Sequence, residues 1–367
     1  MAKERLHDLP QMKGAFNVTG VVNGVQRQTF YTEKQTKNGK DFRMVNFGVE
    51  YDEYKTVFMN LNGMPTDSVY FSKRNKDGKV VTKAVDWKNR LKKDPDGYEI
   101  IGVTLGITKT TNDKGNLVND KKVLSPYDAC GHISENLMDD SSVYVGGNID
   151  FSSYMDSEGN LRRSVKYIPN RMYLAQDVDF DKFAELDKKE QNKKHSFRQR
   201  ILYMGIEPEV IDEKTTDRFI LSAKIVTYND IVDAEFIVTT KARALWFKKN
   251  MKPYQAIDVS GIIEVAHELK EKEENNNDPF DEDPTKPSVK NQSKTELVII
   301  ARDETTIDTE TYTEKDVTEA IKKINAARTA EKKFDGDSKK TSKKATVEEE
   351  DDGGFEDMFD EDEDWLN

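Results

Sequence analysis

The chain has 367 residues, of which 35% are hydrophobic and 34% charged, and a formal net charge of −12. That length suits two or three domains, and the high polarity implies that part of the chain builds no core. No apolar run approaches the ~20 residues that span a bilayer, the lone Cys130 excludes an internal disulfide, and four scattered histidines (His7, His132, His195, His267) give no zinc-finger spacing.

The acidity is local. Residues 348–367 hold 12 acidic side chains and no basic one, and the acids that remain elsewhere balance the 57 lysines and arginines. An anionic partner such as nucleic acid would therefore be held by a local basic groove and not by global charge. The N-terminal MAKERLHDLPQMKG lacks an apolar signal region, so a cytoplasmic location is expected, in the host cytoplasm if the protein is phage-encoded.

In chain order, residues 1–13 read as a flexible leader and 14–25 (GAFNVTGVVNGV) as a first strand. The loop 26–40 carries Arg27, Phe30, Tyr31 and several lysines. A second strand follows at 41–51, with Val45, Phe47, Val49 and Tyr51 on one face and Phe42, Met44 and Asn46 on the other. In the third, 54–61, Val57, Met59 and Leu61 oppose Tyr54, Thr56, Phe58 and Asn60. If Val57 and Met59 enter the core, alternation turns Tyr54 and Phe58 outward. Beside Arg43 and Lys55 they are candidates for stacking nucleic-acid bases, with Phe30 and Tyr31 from the loop. Residues 63–123 read as a large insertion, with strand-like SVYF and YEIIGVTLGI and with Lys83, Lys88, Arg90, Lys92 and Lys93 around Trp87. It would extend the groove or serve as a structural flap.

Residues 128–138 (DACGHISENLM) predict a short helix. Next, Val143, Val145, Ile149 and Phe151 alternate with Tyr144, Gly146, Asn148 and Asp150, which is a half-buried strand. Residues 156–160 (DSEGN) are turn chemistry, and a return strand runs over 161–174. Helix, strand, turn, strand is the closing half of an OB barrel. Gly146 and Gly147 lack the strand-to-helix setting and Lys-Ser/Thr of a phosphate loop.

This stretch resembles the bacterial and phage single-stranded DNA-binding proteins. The features that carry the resemblance are the ISENLM helix, Val145-Gly146-Gly147, the aromatic Tyr154, the acidic-glycine turn from Asp156 to Gly159 and the basic return with Arg162 and Arg163. It covers about a third of the first domain closely and the rest by layout. It implies that Tyr154 stacks a base; Arg162, Arg163 and Lys166 would contact phosphate or form a solvated strand face.

A first OB domain over 14–175 would be followed by a charged linker at 176–194. A second cycle then begins at His195, with strands at 196–211, 218–228, 231–239, 254–265 and 294–302 and a helix at 241–251 whose Trp246 and Phe247 read as core. Its order repeats the first, so the expected fold is mainly β, with tandem five-stranded Greek-key OB barrels, the second over 195–304. The acidic run 271–292 would be a disordered loop. Asp233 and Glu235 fall opposite Val232, Ala234 and Phe236, an acidic outer face that favours the first domain for DNA; Arg218, Lys224, Tyr228 and Lys241 could still form a basic strip.

Residues 305–334 hold a helix begun by a capping box, Thr313 with Asp316, whose Val317, Ile321 and Ile324 share a face for docking on the second domain. A tether and acidic tail occupy 335–367. Acidic residues such as Asp362 and Asp364 surround Phe355, Met358, Phe359, Trp365 and Leu366. An acidic run is by default only a solvated end, but aromatics within it suit capture by a basic, apolar pocket. The resemblance implies recruitment of replication and recombination proteins such as a polymerase, helicase or recombinase. Polyacid can also mimic DNA and compete for the groove.

The expected function is sequence-independent binding and protection of single-stranded DNA during replication, recombination or repair. The alternatives are an OB-fold adaptor with a DNA-mimicking tail and a metal-dependent nuclease. No G-x-S-x-G, H-E-x-x-H or Walker motif is present, so the expectation is a non-enzyme without cofactor or metal.

Overall fold

The computed structural model describes residues 5–36, 39–155, 161–211, 213–268 and 292–341. Two five-stranded barrels organise it. In the first, β1 (Gly14–Asn23) is followed by a short β2 (Tyr31–Gln35), then β3 (Asp41–Asp52) and β4 (Lys55–Gly63). Seven short strands come next, β5 (Ser68–Arg74), β6 (Val80–Asp86), β7 (Glu99–Ile100), β8 (Val103–Gly106), β9 (Lys109–Thr111), β10 (Leu117–Asn119) and β11 (Lys122–Leu124). Helix α1 (Pro126–Asn136) and strands β12 (Ser142–Met155) and β13 (Leu161–Leu174) complete it.

The pairings close a circuit. β1 pairs with β3, β3 with β4, β13 with β12 and β12 with β1, all antiparallel, while β4 meets β13 in parallel at Met59 and Tyr167. That is the connectivity of the five-stranded Greek-key OB barrel. Alternation drives it: Phe16, Val18, Val45, Phe47, Val57, Met59 and Leu61 are buried at 2% exposure or less. Leaving the alternating faces exposed and buried in this way fixes the register.

After α2 (Phe180–Glu185) and α3 (Lys188–Lys194), each capped by an aspartate (Asp179, Asp187), the second barrel uses β14 (His195–Ile211), β15 (Lys214–Val226) and β16 (Ile231–Val238). Helix α4 (Lys241–Asn250), β17 (Gln255–Glu268) and β18 (Gln292–Asp308) follow. The circuit repeats: β14 pairs with β15 and β17, β15 with β16, β17 with β18, and β16 meets β18 in parallel at Ile237 and Val298. Phe247 of α4 is core, as expected, and Trp246 lies under the Arg302 guanidinium at 3.6 Å.

The barrels join through an antiparallel β1–β14 pairing, Gly14–Val18 against His195–Gln199, centred on Phe16 opposite Phe197. The neighbouring registers match. Phe16 also lies opposite Gly147, and Phe197 opposite Gly261. A β-bulge falls between Gly146 and Gly147 in one barrel and between Ser260 and Gly261 in the other. Those registers place the two barrels about a pseudo-two-fold at the Phe16–Phe197 pair.

The insertion is divided between a small sheet with its own core and strands that join the first barrel. A β6-β5-β7 sheet buries Val69, Phe71 and Ile100, and β8 extends the first barrel by pairing in parallel with β13. It is fastened to α1: Arg90 grips both Asp128 oxygens at 2.7 and 2.9 Å, and Trp87 meets Tyr127 edge-on. Burial pushes the Asp128 carboxyl up, but hydrogen bonds from Arg90 and Ser125 outweigh that and hold it below the usual range. Ser125 also caps α1.

Four expectations are corrected. The leader is seated: Leu9 and Met12 are buried, and the Met12 amide donates to the Val226 carbonyl at 2.7 Å. Phe42, placed outward by alternation, is 4% exposed. Tyr54 is not on the face of the third strand but in the β3–β4 turn, at φ 63°. Finally, α5 (Glu314–Thr341), capped by Thr313, does not dock on the second barrel alone. It buries Val317, Ala320 and Ile324, and Arg328 donates to Ser153 of β12 and to Asp230 of the β15–β16 turn at 2.8 and 2.6 Å.

Candidate nucleic-acid interface

A cleft of about 760 Å³ lies between the barrels. One wall is the outer face of the first barrel, with Asn46 from β3, Phe58 and Asn60 from β4, Tyr154 from β12 and Lys166 from β13; Arg163, opposite Ser153 in the β12–β13 ladder, enters the cleft from the other face of that hairpin. The outer face of the second and third barrel strands, with the base of the hairpin that closes the barrel, is where OB folds take oligonucleotides. Period-two alternation explains how the residues get there. Val57 and Met59 enter the core, so Phe58 and Asn60 emerge.

The opposite wall is the equivalent face of the second barrel, with Asp233 and Glu235 from β16 and Lys294 and Glu296 from β18. The β-ladder registers make Glu235 the counterpart of Phe58, because Met59 pairs with Phe47 as Phe236 pairs with Leu221. One wall is aromatic and basic, and its counterpart is acidic. Arg163 spans the gap, 3.2 Å from Asp233 and 3.9 Å from Glu235. Asp233 also takes Lys224 at 2.5 Å, and Glu296 takes Arg218. Ion pairs as exposed as Arg163–Asp233 contribute ~1 kcal/mol at most and exchange readily for another anion.

Asn60 donates to the Asn46 oxygen at 2.6 Å, and Asn46 donates to the Thr29 carbonyl at 3.3 Å. Two fixed amides therefore sit beside Phe58. Asp150 lies opposite Lys166 in the β12–β13 ladder. Burial pushes its carboxyl up, and the Lys166 charge only partly offsets this.

The structure gathers four of the residues expected to touch nucleic acid, Phe58, Tyr154, Arg163 and Lys166. Tyr154 is 41% exposed, and Arg162 lies opposite it in the ladder. The others go elsewhere. Phe30 is buried in the barrel core, contrary to its placement in a binding loop. Tyr31 and Arg43 both bind Glu33, and Arg43 lies over the Tyr127 ring at 4.2 Å. Burial and the Glu33 hydrogen bond raise the Tyr31 phenol. Lys55 is held by Glu264 of the second barrel at 2.7 Å. Tyr54 is 74% exposed at its turn, outside the cleft. Phe355, Phe359, Asp362, Asp364, Trp365 and Leu366 lie outside the described residues. Asn46 and Asn60, and the part taken by the second barrel, were missed. The signal for that wall was present as the alternating acids of β16. Among the described residues no group of three or more His, Cys, Asp or Glu is placed to hold a metal, and no helix is long and apolar enough to cross a membrane.

The sequence matches the YorF family over residues 78–336. In shape the chain is similar to the wild-type single-stranded DNA binding protein from Thermus aquaticus, at 8% identity and a TM-score of 0.35, covering 79% of this chain and 91% of that one. It is similar also to a deletion mutant of that protein, at 7% identity and a TM-score of 0.35, covering 80% of this chain and 94% of that one. No curated protein matches the sequence.

Proposed function

The chain belongs to the YorF family, and we propose that it binds single-stranded DNA along the inter-barrel cleft without reading sequence. One observation carries this: Phe58, Tyr154 and Lys166 lie on the ligand-binding face of an OB barrel and share an open cleft with Arg163. Bases would stack on the two rings, a contact that tolerates any base, and the cations would neutralise phosphates. Arg163 would exchange Asp233 for phosphate. The setting is replication, recombination or repair, supported by the resemblance of residues 142–174 to the bacterial and phage proteins. The acidic, aromatic tail would recruit partner proteins, and the protein would act without catalysis.

The test is a fluorescence titration of labelled poly-dT at two salt concentrations, with a duplex control and a chain ending at Val347. Expected is tight binding of the single strand that weakens with salt, by the full chain and by the shortened one. No binding by either chain would remove the proposal. A second reading, an adaptor that takes a basic protein segment, is favoured by the acidic wall of Asp233, Glu235 and Glu296; it predicts that a lysine-rich peptide binds and poly-dT does not.

A further inference from the structure

The insertion carries a second concavity, of about 460 Å³, far along β13 from the cleft. Its floor is aliphatic, with Val80, Ile100, Ile101 and Val123. Lys73, Arg74 and Lys121 stand exposed on its rim, against one acid, Glu99. Ile101 and Val80 are 53% and 59% exposed, so the floor is open to a partner. The surroundings are basic too: residues 63–124 hold thirteen lysines and arginines against eight acids, in a chain of net charge −12.

We propose that this groove is the docking site of the chain's own acidic tail, residues 348–367. Three observations select that occupant. The charge matches, because the tail holds 12 acidic residues and no basic one. The shape of the chemistry matches, because a basic rim over an aliphatic floor takes an acidic segment that brings Phe355, Phe359, Trp365 and Leu366. Nucleic acid fits less well, because no aromatic ring among the described residues lines this groove to stack a base. Reach is sufficient: α5 is described to Thr341, and the segment from there to Phe359 can extend roughly 60 Å. A folded chain of this length has a radius of gyration of only about 21 Å. Docking of this kind stores the tail away from the cleft and makes the insertion the element that releases it. The inference does not depend on DNA binding, and it is read without nucleic acid.

The experiment uses the full chain with Phe359 replaced by photoreactive p-benzoylphenylalanine. Isotopically heavy and light chains are mixed, irradiated and mapped by peptide mass spectrometry. Expected are cross-links within one chain to residues 72–80, 97–104 and 121–123. Their yield should fall at least tenfold in Lys73→Glu/Arg74→Glu/Lys121→Glu, a variant whose melting temperature should match the parent. As a check that leaves the groove untouched, Asp362→Lys/Asp364→Lys should lose the same cross-links. Cross-links to Phe58, Tyr154 or Lys166, only heavy-to-light cross-links, or none at all would each overturn the proposal. So would a tenfold loss of oligonucleotide affinity in the groove variant with its cross-links intact, which would assign the groove to nucleic acid.

Discussion

Phe16 and Phe197 lie opposite one another at the centre of the β1–β14 ladder, and each packs its ring against a glycine of its own barrel. A Cβ on Gly147 would stand 2.0 Å from the Ile168 carbonyl oxygen and 2.8 Å from the Phe16 ring. A Cβ on Gly261 would stand 1.8 Å from the Val298 oxygen and 2.9 Å from the Phe197 ring. The two barrels thus solve one close approach in the same way, at positions that the pseudo-two-fold exchanges. Gly147→Ala and Gly261→Ala should each destabilise by about 1–3 kcal/mol, because the clash is with backbone and cannot be relieved by a rotamer. Chemical denaturation measures both. A silent substitution at either site would show that the matching registers do not reflect matching packing.

Stacking at the cleft can be separated from mere exposure. Phe58→Ala and Tyr154→Ala should each weaken poly-dT binding by about 1–3 kcal/mol, the worth of one base on one ring. That is roughly fivefold to 150-fold. Tyr54→Ala should leave affinity unchanged, since the Tyr54 ring stands at the β3–β4 turn and does not line the cleft. If Tyr54→Ala costs as much as Phe58→Ala, the strand takes a path outside the cleft.

The barrels were legible because they are written in period two. Val45, Phe47, Val49, Val57 and Met59 are buried as their alternation requires, and so are Val232, Ala234 and Phe236 in the middle of β16, between Asp233 and Glu235. Alternation fails where a strand ends. Tyr54 has the right parity for the outer face but sits one residue before β4, in a turn that takes it away from Phe58. Phe30 looked like a loop aromatic beside basic residues, yet it fills the core. The acids of the cleft's second wall were legible as the alternation of Asp233 and Glu235, but their place opposite Phe58 was hidden for another reason. They are distant in sequence and reach Phe58 only because β1 and β14 pair, and long-range pairing of that kind leaves no local pattern. Lys55 shows the same limit, since its partner Glu264 is 209 residues away.

The joint between the barrels should respond to acid. His195 stacks on Tyr51 at 4.2 Å, and its Nδ1 lies 2.8 Å from the Ile263 carbonyl, to which it donates. Burial, the leading cause, holds its pKa below 6.5, and burial acts in the same direction on His7 and His132. The unfolded chain therefore binds protons that the folded chain refuses. Stability from these groups is complete above the unfolded pKa and is lost as pH falls below it. Urea unfolding should show stability declining from about pH 7 to about 5.5, above the range where carboxylates titrate. His195→Phe keeps a ring against Tyr51 and should flatten that decline, at the cost of the Ile263 hydrogen bond. An unchanged slope in the variant would assign the decline to other groups.

The acidic wall decides between the two readings of the cleft. If phosphate replaces Asp233 on Arg163, Asp233→Asn removes a competitor and should tighten poly-dT binding, chiefly at low salt where the ion pair is strongest. Arg163→Ala should weaken binding and reduce the salt slope, d log K/d log[salt], by ~0.7 in magnitude, the share of one phosphate contact on a single strand. The double variant should recover only the small part of the Arg163→Ala loss that Asp233 exerts through Lys224 at 2.5 Å, because its other effect runs through Arg163 across 3.2 Å. Titrations of the parent and the three variants at four salt concentrations give both quantities. The opposite result, Asp233→Asn weakening poly-dT or abolishing binding of a lysine-rich peptide, would make the acids part of the ligand site. The second barrel would then be a recognition wall for a cationic partner and not the passive counterpart of the first.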